Sequence, residues 1–335
     1  MSKVVIFGAG SWGTTLASLL AENNHDVTIW SFEAPVAKQI NEMRENQKYL
    51  PGIQLSSRVQ ATANLESAAN QTNKAAAVFF VVPSEHLRKV AAKLKGKINN
   101  KIPVISATKG IEKNTFKRMS QILAKELKHP SGNICVLSGP NLSKEIAKGL
   151  PATTVIASTS KKSAQTGQKL LMQSRFRVYT NRDVEGVEFG GALKNVIAIA
   201  AGAAEGLSLG DNAKSALLVR GIAEIARLGK HLGAKTKTFY GLSGFGDLIT
   251  TCQSKLSRNH KVGVEIAQGK KLAEILASMP DVAEGVPTAA AATALAKKLK
   301  IDMPITFEVY KVLFENKDPY QALSDLMNRE AKEEK

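Results

Sequence analysis

Lys194 lies in the segment of this chain that points most clearly to chemistry. Apart from Lys194 and Asn195, residues 190–202 are all glycine, alanine or larger aliphatic residues. Lysine is rarely buried without a partner, and burial lowers its pKa toward the range in which an amine exchanges protons near neutral pH. On a helix, the Gly and Ala residues would form a flat face beside Lys194, and we expect that face to leave room for a substrate and a cofactor. The segment predicts a proton donor or acceptor; the alternative is a core helix whose lysine reaches solvent.

A second polar cluster follows later in the chain. Asp247 and Thr251 are four residues apart and share one face of a predicted helix. Ser257, Arg258 and Asn259 come next, and an arginine guanidinium matches a phosphate in bidentate geometry. The cluster predicts a phosphate-binding site. The alternatives are a surface salt bridge for Arg258 and a helix cap for Asp247.

A glycine-rich turn near the start of the chain predicts a dinucleotide site. Gly8, Gly10 and Gly13 form the pattern G-x-G-x-x-G between a β-branched run at 4–7 and an apolar helical pattern at 14–21. The first glycine permits the tight turn, the second lets the backbone approach a pyrophosphate, and the third lets the helix pack on the strand. The helix N-terminus then supplies N–H donors to the anion. The alternative is a glycine-rich turn without a ligand.

The residue that reads the adenine ribose should follow the second strand, 26–30. Glu33 lies about 20 residues after the last glycine, which suits a contact with a ribose hydroxyl. Residues 31–33 contain no arginine to receive a 2′-phosphate, and this favours NAD over NADP. Lys38 and Arg44 remain alternatives for binding that phosphate.

Strand-like and helical runs alternate through the first half. Further strands are predicted at 76–82, 102–106, 134–137 and 153–157. The alternation predicts an α/β N-terminal Rossmann-type doubly wound sheet with ligands at the carboxyl ends of the strands. Lys109 follows one of these strands, beside Gly110, and is placed to contact a cofactor or an anionic substrate; the alternative is a surface loop lysine.

The second half is predicted to be an all-α C-terminal domain. Helical patterns cover residues 186–204, 215–232, 248–256, 262–268, 271–279, 288–299 and 305–314. We place the boundary within 180–186, which gives a dinucleotide-binding domain at 1–185 and a helical substrate-binding and catalytic domain at 186–335. The active cleft is then expected between the two domains.

Composition narrows the class of partner. The 335 residues include 46 Lys and Arg against 29 Asp and Glu, a net charge of +17 that favours anionic partners. The charges are dispersed and only 5% of residues are aromatic, which argues against a nucleic-acid protein. The two cysteines and five histidines show no metal-ligand spacing, so no metal is expected. No signal peptide or long apolar span is evident, and we expect a cytoplasmic protein without membrane insertion.

The motifs together resemble bacterial NAD(P)-dependent glycerol-3-phosphate dehydrogenase over nearly the whole chain. The matching segments are Ser11-Trp12 within the glycine turn, Tyr49-Leu50-Pro51-Gly52, Lys109-Gly110-Ile111-Glu112, Ser138-Gly139-Pro140, the signature 191–212, Asp247, Ser257-Arg258-Asn259 and Val282-Ala283-Glu284-Gly285. The resemblance implies reversible reduction of dihydroxyacetone phosphate to sn-glycerol 3-phosphate with NAD or NADP. It also implies a homodimer and a role in supplying phospholipid synthesis.

The resemblance assigns roles residue by residue. It implies that Lys194 is the proton donor and acceptor, acting with Asp247, Lys109, Asn195 and Thr251. The implied substrate contacts are Lys109, Gly139, Asn141, Lys194, Asp247, Ser257, Arg258 and Asn259. The implied cofactor contacts are Gly8, Gly10, Ser11, Trp12, Gly13, Phe32, Glu33, Lys109, Ser143, Arg258, Val282 and Glu284.

The chain departs from the family pattern at four positions. Asn141 and Ser143 replace a usual Ser or Thr and a usual Ala, and Phe32 stands where a basic residue is common, which bears against NADP. Ala203 replaces a larger apolar residue, and we expect an effect on packing only. Two other functions are compatible with the pattern: a related hydroxy-acid or sugar-acid dehydrogenase, and a non-catalytic dinucleotide sensor with a basic surface.

Overall fold

One eight-stranded sheet organises the first half of the computed structural model, which describes residues 1–279, 282–331 and 333–334. The strands are β1 (Lys3–Phe7), β2 (Asp26–Trp30), β3 (Val59–Thr62), β4 (Ala75–Phe80), β5 (Val104–Ser106), β6 (Ile134–Ser138), β7 (Ala152–Ala157) and β8 (Phe176–Asn181). Their order in the sheet is β3-β2-β1-β4-β5-β6-β7-β8. The strands β1 to β6 run parallel to one another, whereas β7 pairs antiparallel with β6 and β8 runs parallel to β7.

Helices cover both faces of this sheet. They are α1 (Ser11–Glu22), α2 (Ala34–Met43), α3 (Leu65–Gln71), α4 (Ser84–Lys93), α5 (Met119–Leu127), α6 (Ser143–Ala147) and α7 (Lys161–Leu171). Successive residues of a strand point to opposite faces, so a strand covered on both faces is apolar throughout. In β1, Val4 and Ile6 pack into one core and Val5 and Phe7 into another. The predicted doubly wound sheet is confirmed, with two reversed strands at one edge.

The second half is helical, as predicted. Its helices are α8 (Val184–Gly206), α9 (Gly210–His231), α10 (Thr236–Phe239), α11 (Asp247–Gln253), α12 (Arg258–Ala267), α13 (Leu272–Ala277), α14 (Gly285–Leu299), α15 (Pro304–Phe314) and α16 (Pro319–Met327). A π-helical turn, Leu242–Gly246, leads into α11. Among the described residues, α8 is the one helix long and apolar enough to cross a membrane, and 83% of its apolar stretch is buried inside the protein. It is the central helix of this half.

Three glycines of α8 pack closely on neighbouring elements, so part of the flat face expected beside Lys194 is covered by protein. A Cβ on Gly190, Gly191 or Gly202 would come under 3.0 Å from Ser243, Ser138 or His260, respectively. Glycine therefore allows α8 to approach the backbone at Ser243 and His260 and the side chain of Ser138. Ala203, farther along α8, borders an apolar cleft with about 660 Å³ of open space between α8, α9, α12, α15 and α16.

Candidate active site

Asp247 lies between two lysines at the junction of the two halves. Its Oδ1 accepts a hydrogen bond from Lys194 Nζ at 2.8 Å, and its Oδ2 accepts one from Lys109 Nζ at 2.5 Å. Lys194 projects from the middle of α8, Lys109 from the loop after β5, and Asp247 from the first turn of α11. One helical turn after Asp247, the hydroxyl of Thr251 accepts a hydrogen bond from Lys194 and lies 3.3 Å from Asp247 Oδ1. The structure thus brings these four predicted residues together.

The environment of Lys194 shifts its pKa toward neutral pH. It is only 7% exposed, and burial lowers its pKa to about 8. The negative charge of Asp247 opposes that shift, whereas the positive charge of Lys109 adds to it. An amine with a pKa near the working pH can act both as an acid and as a base. The alternative of a lysine that reaches solvent is wrong, since its ammonium is held inside the protein.

Lys109 also joins the active site to the end of β6. Its ammonium donates to the carbonyl oxygen of Gly139 at 3.2 Å. Gly139 has φ = +150°, and a Cβ there would lie 3.1 Å from Thr154 Cα, so the turn requires glycine. The neighbouring Gly110 is also needed, because a Cβ would lie 2.7 Å from Ser84 Cβ. Lys109 is therefore not the surface lysine of the alternative interpretation.

The predicted phosphate-binding residues surround the start of α12. Asn259 Nδ2 donates to Asn195 Oδ1 at 2.9 Å, and Asn259 Oδ1 accepts from the amide of Gly285 at 2.8 Å. Ser257 caps α12 by accepting from the amide of His260 at 3.2 Å. Arg258 is the first residue of α12, so its charge adds to the positive end of that helix. Through Asn195, this corner lies one residue along α8 from Lys194.

Glu284 links the second half to the end of β4. Ser84 donates to it with its amide at 2.8 Å and with its hydroxyl at 2.5 Å. Burial raises the pKa of Glu284, while the bonds from Ser84 and the charge of Arg258 act against that rise. Ser84 is the first residue of α4 after the N-cap Pro83, and its hydroxyl is engaged by Glu284 instead of capping the helix.

The glycine-rich turn fits a dinucleotide. Gly8 has φ = +119°, and a Cβ would lie 2.6 Å from the carbonyl oxygen of Val81. A Cβ on Gly13 would collide with the backbone of Gly8, so α1 can lie on the turn only if residue 13 is glycine. Around Gly10, in contrast, no described atom lies within 4 Å of a Cβ position. The N-terminus of α1 has no side-chain cap, so its first amides are not used by a capping side chain and suit the binding of a pyrophosphate.

Glu33 lies at the end of β2 and is bound by a neighbouring loop. Lys48 Nζ donates to its Oε2 at 2.5 Å, and the hydroxyl of Tyr49 donates to its Oε1. The bond from Lys48, followed by that from Tyr49, lowers the pKa of Glu33. Phe32 is 87% exposed beside it. Arg44 is turned away, since its guanidinium donates to the carbonyl oxygen of Val59 at 3.0 Å.

The remaining predicted contact residues have the following positions and hydrogen bonds. Asn141 uses its side chain within the protein: it donates to the carbonyl oxygen of Thr153 at 3.0 Å and accepts from Thr154 at 2.9 Å. Ser143 begins α6, and its carbonyl oxygen accepts from Thr15 on α1 at 3.3 Å. Three more predicted cofactor contacts have these positions: Ser11 begins α1, Trp12 packs on the core under the sheet, and Val282 is 36% exposed.

The sequence analysis did not identify the ion pairs and hydrogen bonds that join the start of α5 to the start of α8. Arg118 pairs with Glu185 at 2.7 Å and with Glu188. Ser120 donates to Glu188 with its amide at 2.8 Å and its hydroxyl at 2.5 Å. Glu188 stands between Val187 and Phe189 near the start of an apolar helix, and an acid in that setting indicates a buried charge with a partner. The partner itself lies about 70 residues away and cannot be inferred from local pattern.

Comparison with known proteins places this geometry in one family. The family models for the N-terminus and the C-terminus of NAD-dependent glycerol-3-phosphate dehydrogenase match residues 3–164 and 183–324. The glycerol-3-phosphate dehydrogenase [NAD(P)+] of Geobacter metallireducens is 46% identical over 334 residues, 99% of each chain. The chain belongs to the NAD-dependent glycerol-3-phosphate dehydrogenase family. It is an oxidoreductase of the NAD(P)-dependent class, and the resemblance found in the sequence is confirmed.

Solved structures agree with that assignment. The glycerol-3-phosphate dehydrogenase of Coxiella burnetii superposes with a TM-score of 0.93 at 35% identity, covering 98% of this chain and 99% of that one. A ketopantoate reductase from Ralstonia eutropha JMP134 has a TM-score of 0.60 at 14% identity, covering 96% and 99%. The second likeness shows the fold alone. Among the described residues, no group of three or more His, Cys, Asp or Glu is placed to hold a metal ion.

Proposed function

We propose that this chain reduces dihydroxyacetone phosphate reversibly to sn-glycerol 3-phosphate, with Lys194 as the proton donor and acceptor. The observation that carries the role of Lys194 is its buried ammonium, bound to Asp247 and Thr251, with a pKa of about 8. Family membership supplies the reaction, and the geometry supports the assignment of residues to it.

The chemistry follows from charge development at the ketone. A dinucleotide held at the glycine-rich turn would supply the hydride for reduction of the ketone and would accept it in oxidation of the alcohol. As the carbonyl oxygen becomes an alkoxide, the Lys194 ammonium stabilises its charge and gives it a proton. In the reverse direction the neutral amine of Lys194 removes the proton from the alcohol.

Asp247 and Lys109 position that ammonium and tune it. Asp247 accepts from both lysines, so it fixes the direction of Lys194 while compensating part of the positive charge. Lys109 also donates to the carbonyl of Gly139, and we assign it a contact with the substrate and the nicotinamide. Thr251 fixes Lys194 from the same helix as Asp247.

The phosphate of the substrate is assigned to the start of α12. Arg258 offers a guanidinium, Asn259 and Ser257 offer neutral groups, and the helix adds the positive end of its dipole. Asn195, next to Lys194, is bonded to Asn259 at 2.9 Å and couples the phosphate site to the proton donor. Holding the phosphate fixes the ketone against Lys194, which makes hydride transfer effectively unimolecular.

Initial rates of NADH and NADPH oxidation with dihydroxyacetone phosphate test this proposal. We expect Lys194→Ala to lower kcat by roughly 10²- to 10⁴-fold, the usual contribution of a general acid. The matched control is Lys230→Ala, which removes an exposed lysine from α9 and should leave the rate unchanged. Equal rates for Lys194→Ala and wild type would refute the role of Lys194. Turnover of a 2-hydroxy acid without turnover of the phosphorylated ketone would favour the rival dehydrogenase.

The remaining assignments belong to the same proposal. We infer a division into domains at 1–185 and 186–335, between the end of β8 at Asn181 and the first turns of α8. We also propose a cytoplasmic homodimer that supplies glycerophospholipid synthesis. Light scattering after size-exclusion chromatography tests the dimer, and a monomer mass would refute it.

A further inference from the structure

Hydrogen bonds join the loop at 44–52 to the glycine-rich turn. Asn46 is fully buried, and its Nδ2 donates to the carbonyl oxygen of Ala9 and to Thr14 Oγ1, both at 2.8 Å. The amide of Tyr49 in turn donates to Asn46 Oδ1 at 3.3 Å. Ala9 lies inside the turn, and Thr14 lies just after it. The loop therefore has a fixed position next to the place where the dinucleotide is proposed to bind.

This loop places the ammonium of Lys48 beside Glu33, the residue proposed to bind the adenine ribose. Glu33 follows β2 at the position from which an acidic side chain binds the ribose hydroxyls of NAD. Lys48 Nζ lies 2.5 Å from one oxygen of that carboxylate, and Tyr49 holds the other. The side chain of Lys48 is 47% exposed, so it can follow a new partner without moving the loop.

The other nearby cations are directed elsewhere. Arg44 donates to the carbonyl oxygen of Val59 at 3.0 Å. Lys38, on the outer face of α2, is 72% exposed and lies 4.0 Å from Glu42. Of the three basic residues that sequence position brings near the ribose, Lys48 is the one that contacts Glu33.

We propose that Glu33 and Lys48 act as a paired selector between NAD and NADP. With both present, the Glu33 carboxylate binds the ribose hydroxyls and repels a 2′-phosphate, and Lys48 is neutralised by Glu33. When the charge of Glu33 is removed, Lys48 is released and becomes the counter-ion of a 2′-phosphate. The proposal rests on the dinucleotide site of the proposed function and adds a residue, Lys48, that decides the class of cofactor.

Two nucleotides that differ by one phosphate test this inference without any hydride chemistry. Adenosine 5′-monophosphate and adenosine 2′,5′-bisphosphate are titrated calorimetrically into wild type, Glu33→Gln, and the double variant Glu33→Gln/Lys48→Met. Gln keeps the shape of Glu and can still accept from Tyr49. We expect Glu33→Gln to shift the affinity ratio toward the bisphosphate by about tenfold or more, the order expected from losing one close like-charge contact.

The double variant decides the role of Lys48. We expect it to lose most of the gained affinity for the bisphosphate, whereas Glu33→Gln/Lys38→Met, the matched control, should keep the gain. An unchanged ratio in Glu33→Gln, or a gain that survives Lys48→Met, would overturn the inference. If neither nucleotide binds any of these proteins, the dinucleotide site fails and this inference fails with it. Normal nucleotide binding without turnover of dihydroxyacetone phosphate would count against the proposed reaction alone.

Discussion

Asp247 is the residue on which the proposed chemistry depends most. A single carboxylate, 1% exposed, serves two ammonium groups that arrive from different halves of the chain. Without it, the buried ammonium of Lys194 and the partly buried ammonium of Lys109 would face each other at close range, which is costly in a low-dielectric setting. Asp247 therefore makes it possible to bury Lys194 while keeping its proton available.

The pH dependence of the reaction provides a test at this scale. Reduction requires the ammonium form of Lys194, so its rate should fall as pH rises through about 8, and oxidation, which requires the amine, should rise over the same interval. Since the charge of Asp247 raises the pKa of Lys194, Asp247→Asn should move both limbs to lower pH. Profiles of kcat/KM against pH in both directions measure this. Limbs that stay in place or move to higher pH would contradict the assignment.

Among the helices, α9 and α15 illustrate how a buried charge fixes one element to another. Glu224 on α9 is 2% exposed and accepts from the amides of Ile305 at 2.6 Å and Thr306 at 3.2 Å, at the N-terminus of α15. The hydroxyl of Thr306 adds a third bond at 3.1 Å. Burial still outweighs these bonds and raises the pKa of Glu224 to about 7.

This raised pKa predicts a pH-dependent stability. Below the usual value of 4.5, Glu224 is protonated in both the folded and the unfolded chain. Between 4.5 and about 7 the unfolded chain ionises first, so the folded state loses stability as pH rises, by on the order of 3 kcal/mol in total. Glu224→Gln should remove that part of the slope. Urea unfolding of both proteins across this interval measures it, and equal slopes would show that Glu224 does not carry the effect.

At the scale of the whole molecule, the net charge of +17 fits an anionic substrate and an anionic cofactor. The basic residues are dispersed along the sequence. Such a field raises the local concentration of small anions, and it is screened within about 10 Å at 0.1 M salt.

Ionic strength should therefore act on substrate capture. We expect the KM for dihydroxyacetone phosphate to rise severalfold between low salt and roughly 0.5 M salt, while kcat changes little, because the buried Lys194 and Asp247 are poorly screened. Steady-state kinetics over a salt series provides the measurement. A falling kcat at constant KM would place the effect of salt on the chemistry and not on capture.

The sequence predicted local chemistry better than long-range contacts. Spacing and resemblance singled out Lys194, Asp247, Thr251 and Glu33, because each belongs to a short pattern with a physical role. The link between Glu284 and Ser84 joins residues 200 positions apart, and no local pattern encodes it. The four-residue strand β3 was missed because so short a run carries little periodicity. Strand direction is likewise absent from a local pattern, so the reversal of β7 and β8 was not predicted.

The reversal of β7 and β8 has a geometrical consequence for Lys194. Because β8 runs antiparallel to β1 to β6, the chain leaves the sheet at the end opposite the carboxyl ends of those strands, where the proposed active site lies. Helix α8 must therefore run back along the sheet to reach that site. From Val184 to Lys194 that path is about 15 Å at 1.5 Å per residue. The number of residues between the first turn of α8 and Lys194 therefore sets the position of the ammonium. One residue inserted between these two points would turn the ammonium through about 100° and away from Asp247. The proposed role of Lys194 thus depends on the length of this segment as well as on the lysine itself.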